Sequence, residues 1–323
     1  MTNKVFNWKN VKRIVCVGLA SITLLGGVNF YKCATYKNVE IPKENLSETY
    51  AILANCSGTK ELNRFSKQNH HYSMLNILSA YNLFKQEGLS DENISLLIYN
   101  PTSENSEDVK NIFETKEYKS LLERKALTGI LPSKTDKFAI DGEATRENFM
   151  NALRKLNLDS NDTLYIVLSN PSPKEIDELK TVQYSTANSY FALDDEEIHS
   201  GEFASAMKAP RLEGVKKMLI LNSGDSNGLL PHLDENIFLK SILLSDKEKK
   251  DMGLKNLIAI SSPEGWKFDK ETFIMNFLNQ YKKNKEQSIK ELAEKTDGVV
   301  YSYDGREVSP EKNPWFNAPL FKN

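Results

Sequence analysis

Cysteine is scarce in this chain of 323 residues and confined to its start, at Cys16, Cys33 and Cys56. Everything after Cys56 therefore lacks a thiol for a disulfide, a thiolate metal site or nucleophilic catalysis. The spacing of the three gives no zinc pattern. A disulfide between Cys33 and Cys56 is the one pairing the sequence leaves open. Histidine is nearly as rare, and none follows His232. Charge of one sign is missing as well. The chain has 42 Lys and Arg against 44 Asp and Glu, so it has no overall basic footprint for nucleic acid. The charges alternate in sign along the chain, as on solvated helix faces. No cofactor or metal is expected. What the sequence does hold is 40% apolar residues, enough for an ordinary globular core.

One long uncharged run stands out. Lys4, Lys9, Lys12 and Arg13 make residues 1–13 basic, and Ile14 to Tyr31 then carries no charge before Lys32. Eighteen helical residues rise about 27 Å, enough to cross a bilayer core. Basic residues ahead of the run place that end in the cytoplasm and the rest of the chain on the far side. A cleaved signal peptide is the competing reading, but no small-x-small cleavage site follows. Residues 14–31 are read as a transmembrane signal anchor, 32–47 as a polar linker, 48–300 as the folded domain and 301–323 as a tail.

Within the domain, short apolar runs alternate with helical periodicity. Strands are expected at about 50–56, 94–99, 163–169, 217–222 and 256–261. Between the first two, Met74, Leu75, Leu78, Tyr81 and Leu83 recur at helical spacing and Gly88 supplies the stop. Residues 101–142 read as a charged loop with one helical piece. Thr145 begins a helix with Asn148 at the position of an imperfect capping box. "SGEFASAMKA" is a further helix. Residues 270–298 read as one or two amphipathic helices with Phe273, Met275, Phe277, Leu278 and Tyr281 on the apolar side. Trp315, Phe316, Leu320 and Phe321 either tuck the tail against the domain or make it a docking peptide. The expected class is α/β, with helices on both sides of a largely parallel sheet whose strand C-termini share one edge.

Four stretches in order carry a resemblance: "YAILANCSG", "LNILSAYNLFKQEGLSDENISLLIYN", "GEATRENFMNAL" and "YFALDDEEIHSGEFASAM". Together they resemble the legumain family of cysteine peptidases with the catalytic subunit of GPI-anchor transamidase. The resemblance spans roughly residues 48 to 265 and implies a caspase-like three-layer sandwich. It also implies a histidine in Asp-His-Gly after the third strand and a cysteine after the fourth, with backbone N–H groups holding the oxyanion. At those positions "VLSNPSP" has Pro171 and "LNSGDSN" has Gly224, with Asn170, Ser223, Asp225 and Ser226 as neighbours. Tyr72 takes the place of the specificity arginine on the first helix. The substrate-binding positions implied are Tyr72, His71, Ser261 and Ser262.

Other chemistry has weaker grounds. "GDSNG" resembles the serine block of SGNH esterases, which need a later Asp-x-x-His that this chain lacks. Ser223 or Ser226 with His232, Asp225 or His199 would make a serine nucleophile, yet Ser, Asn, Gly and Asp are also what turns are made of. The run Asp194 to Glu197 lacks the loop pattern of a calcium site, and His70 with His71 begins an exposed helix. Asn45, Asn55, Asn93 and Asn161 head formal glycosylation sequons, with Asn55 on a strand end. The expected function is a membrane-anchored pseudo-peptidase that binds a peptide or protein partner. The alternatives are an active legumain-type peptidase or transamidase and a structural subunit of a membrane complex. Oligomeric state is not legible.

Overall fold

The computed structural model describes residues 48–55, 67–99, 109–124, 127, 129–169, 190–192, 197–222, 256–261, 272–303 and 313–321. Residues 14–31 and the linker lie outside these. Among the described residues no helix is long and apolar enough to cross a membrane.

Eight strands form in chain order: β1 (Thr49–Asn55), β2 (Ile94–Ile98), β3 (Thr163–Ser169), β4 (Tyr190–Ala192), β5 (Glu197–His199), β6 (Lys216–Asn222), β7 (Leu257–Ser261) and β8 (Val299–Tyr303). Six of them make one sheet in the order β2-β1-β3-β6-β7-β8. The first five are parallel, and β8 joins β7 antiparallel. All five expected strands are therefore neighbours in this sheet. β8 was not among them, and it crosses residue 300, where the sequence places the end of the domain. Strands β4 and β5 pair as a separate antiparallel ladder.

Parallel strands covered on both faces read as continuous apolar runs. In β6 the run Met218 to Leu221 is buried throughout, and its alternate residues serve opposite faces. Leu53, Val167, Ile220 and Ile260 pack on one side with α1 (Lys67–Gln86), α2 (Lys116–Glu123), α5 (Phe273–Lys283) and α6 (Ile289–Lys295). Ile52, Ile166, Leu219 and Ala259 pack on the other with α3 (Arg146–Lys155) and α4 (Ser200–Met207). The result is three layers.

Local signals act as the sequence dictates. Thr145 Oγ1 accepts from the Asn148 N–H at 3.1 Å and caps α3. α1 stops at Gly88, whose φ of +98° lets Leu89 N–H reach back to the Phe84 carbonyl at 3.1 Å. The insertion contains α2, and its last residues cover the sheet edge. Ile98 N–H donates to Gly142 O at 3.0 Å, and Asp141 Oδ2 accepts from Leu96 N–H at 2.8 Å. The tail tucks in. Phe316 and Leu320 are buried, the Tyr165 hydroxyl donates to Leu320 O, and Phe321 rests on Phe84 and Tyr165.

At the N-terminal edge of the sheet Lys217 is 2% exposed, and its Nζ donates to Leu212 O and Val215 O, both at 2.9 Å. Burial pushes its pKa down to about 8. From pH 8 to 10 the unfolded chain keeps a proton at this lysine that the folded chain has released, so stability rises with pH there. The expected gain is on the order of 2 kcal/mol. Above pH 10 the buried hydroxyls of Tyr165 and Tyr281, both raised by burial, pull the other way. Denaturant midpoints across this window should show the rise in the wild type and lose it in Lys217→Met. An equal rise in both proteins would exclude Lys217 as the cause.

Candidate functional site

The three central strands end level with one another. Asn55 is in register with Ser169, and Ser169 with Asn222. Side chains alternate along a strand, so these three lie on the face of Leu53, Val167 and Ile220, which α1 covers at β1 and β3. Each strand thus changes from apolar to polar at the same level.

The row is buried and bonded. Ser73 Oγ, on α1, lies 2.6 Å from Asn55 Oδ1 and 2.6 Å from the Ser169 carbonyl. One turn on, Asn76 Nδ2 donates to Ser169 Oγ at 3.1 Å, and its Oδ1 accepts from Met275 N–H in the first turn of α5 at 3.3 Å. Asn55, Asn76 and Ser169 are each 0% exposed. The single proton of Ser73 serves one of its two acceptors at a time, and Asn55 Nδ2 has no partner among the described residues. An unsatisfied buried group of this kind costs about 1–3 kcal/mol.

The contacts with Asn55 and Ser169 put the first turns of α1 at the C-terminal edge of the sheet. Here His71 Nδ1 stands 2.8 Å from Glu117 Oε2 of α2, with the histidine 29% exposed and the glutamate 6%. A carboxylate beside one ring nitrogen fixes how the imidazole is turned. Tyr72, the next residue, is buried in the core at 8% exposure.

Of the site residues singled out in the sequence, the structure describes His71, Tyr72 and Ser261, and it places His70 in α1 and Glu197 and His199 in β5. Ser261 ends β7 level with Leu221 and is 0% exposed. It continues the alternation of Leu257 and Ala259, so it lies on the face opposite Ser169 and Asn222. Asn170, Pro171, Ser223, Gly224, Asp225, Ser226, His232 and Ser262 lie outside the described residues, as do Asp194 to Glu196. The register relates the strand ends that precede two of them. Residues 171 and 224 each follow a paired position, Ser169 and Asn222, by two residues on adjacent strands.

Asn55, Ser73 and Asn76 were not foreseen as a group. The signal was present on α1, where Ser73, Asn76 and Ser79 recur every three residues along a stripe of Met74, Leu75, Ile77 and Leu78. Polar groups at that spacing share one helix side. All three are buried.

Chemically, this row can hydrogen-bond and cannot transfer protons. Asn55, Ser73, Asn76, Ser169 and Asn222 include no group that titrates near neutral pH. Among the described residues no group of three or more His, Cys, Asp or Glu could hold a metal ion. No family model matches the chain, and no curated protein matches it.

Proposed function

We propose that this chain is a membrane-tethered, legumain-like pseudo-peptidase that binds a peptide or protein partner at the C-terminal edge of its sheet. The observation that carries the reading is the shared register of β3 and β6 at their ends. In the fold that the sequence resembles, an active pair needs its histidine and its cysteine just past two such neighbouring strands. At the matching positions this chain has Pro171 and Gly224. A pyrrolidine ring accepts no proton and glycine has no side chain, so neither half of a nucleophile and base pair is available there.

The strand order supports the same reading, with a parallel sheet continued by one antiparallel edge strand and helices on both faces. Tyr72 supports it as well. It stands where the specificity arginine would, and it is buried in the core rather than charged. At that edge the amides and hydroxyls of the strand-end row are buried, and His71, bonded to Glu117, is a partly exposed group that a partner would meet. Residues 14–31 are the anchor in this reading.

The test is a double readout on one preparation of the full chain. Labelled extended peptides carrying Asn or Asp should raise fluorescence anisotropy on addition of protein and be recovered intact. Cleaved peptide sinks the reading. Intact peptide with no binding across the set would favour the scaffold-subunit alternative.

A further inference from the structure

We propose that Asn161 is an N-glycosylation site, and that the structure permits a glycan there while excluding one at Asn55 and at Asn93. The proposal rests on the reading that the domain lies across the membrane from the basic N-terminus, in a cell able to make such glycans. Three sequons whose asparagine is among the described residues compete, Asn55-Cys56-Ser57, Asn93-Ile94-Ser95 and Asn161-Asp162-Thr163. The fold separates them.

A glycan is bulky and hydrated, so the folded chain can carry it only where the amide nitrogen reaches water. Asn55 is 0% exposed, between β2 and β3 beneath Ser73. A sugar on its Nδ2 would have to displace α1. Asn93 is half-buried, and its Nδ2 donates to the Thr49 carbonyl at 3.2 Å. Glycosylation there would insert a sugar ring between the turn and β1.

Asn161 differs in its exposure. It is exposed, in the turn that leads into β3. The bonds that close this turn run through backbone amides and two carboxylates. Asn161 N–H donates to Asp159 Oδ1 at 2.7 Å, Asp159 N–H to Asp162 Oδ2 at 2.8 Å, and Asp162 N–H to Asp159 O at 3.1 Å. Glu48 N–H adds a bond to Asp162 Oδ1 at 2.8 Å.

Position makes the modification compatible with partner binding. β3 runs from Thr163 to Ser169, so Asn161 stands at the N-terminal edge of the sheet, roughly 20 Å from the strand-end row at about 3.3 Å per residue. A glycan there hydrates one edge and leaves the other clear.

In the transfer, the amide nitrogen of Asn161 forms a bond to the anomeric carbon of an oligosaccharide carried on a polyprenyl pyrophosphate. The bond from that carbon to the pyrophosphate oxygen breaks, the amide gives up one proton, and the lipid pyrophosphate leaves. No oxidant or reductant is needed.

The experiment is cell-free translation of the full chain with microsomal membranes, followed by protease protection and mass mapping of the peptide that contains residue 161. The expected result is a domain shielded from added protease, with a glycan on Asn161 that peptide N-glycosidase removes. Asn161→Gln and, separately, Thr163→Val should both abolish it, while Asn93→Gln should leave it in place. A shielded domain with unmodified Asn161 overturns the glycan and spares the topology. A domain digested from outside overturns the topology and the glycan with it. A glycan on Asn55 or Asn93 in folded protein overturns the argument from burial.

Discussion

Incubated with peptides that carry asparagine or aspartate, the wild-type protein should release no product above the uncatalysed background. Hydrolysis by a thiol enzyme needs a thiolate to attack, a base to generate it and donors to hold the oxyanion. The strand ends here offer Asn55 and Ser169, bonded to Ser73 and Asn76, and Asn222 in register beside Ser169. Loss of a nucleophile and its base together costs on the order of a millionfold in kcat in a hydrolase, and what persists comes from oxyanion donors and binding. Such a residue of activity is invisible in an ordinary peptide assay. Thiol-directed active-site probes should label nothing beyond Cys16, Cys33 and Cys56. The paired substitution Gly224→Cys with Pro171→His sharpens the test. Hydrolysis by the double variant and by neither single one would tie the silence to the missing pair. Clear hydrolysis by the wild type, lost in Ser223→Ala or Ser226→Ala, would instead show that a serine has taken over.

The second large effect concerns stability. Phe84→Ala should lower unfolding free energy by about 3–5 kcal/mol, a large share of the about 5–15 kcal/mol that holds a typical domain. Phe84 is 0% exposed in the middle of α1. Its ring meets Tyr165 edge-on with centroids 5.2 Å apart, and Phe321 edge-on at 4.9 Å. Such pairs contribute about 0.5–1.5 kcal/mol beyond the area they bury. Truncation removes both contacts and leaves a cavity among three elements that cannot all collapse into it. Urea denaturation should show a lower midpoint with an unchanged slope. A loss under about 1 kcal/mol would mean that the tail is not seated on α1.

The parallel strands were legible because burial on both faces writes them as unbroken apolar runs ended by turn residues. The expected 163–169 is the observed β3, and 217–222 differs from β6 by one residue. β8 was not legible. "VVYSY" is short and follows a charged helix and the Asp297-Gly298 turn, and an antiparallel edge strand needs no crossover helix to announce it. The polar row escaped for another reason. Reading apolar periodicity treats Ser73 and Asn76 as interruptions, although their spacing matches that of the core residues around them. Of the candidate site, the sequence supplied identities at positions 171 and 224. The fold supplied the register that sets Ser169 and Asn222, each two residues earlier in the chain, level.

The order of the sheet also bears on how the molecule assembles. β2 adds to one side of β1 and β3 to the other, after which β6, β7 and β8 extend the β3 side in chain order. Each new strand finds an open edge, and none has to be inserted between strands already joined. The tail breaks that order. The bond from Tyr165 to Leu320 joins residues 155 apart in the chain, and long-range closure of that kind is slow to form. Docking of residues 313–321 is thus a closing step, made on a sheet that already stands. Leu320→Ala should accordingly hasten unfolding far more than it slows refolding, the signature of contacts absent from the transition state. Equal effects on both limbs of the chevron would place the tail in the folding nucleus instead.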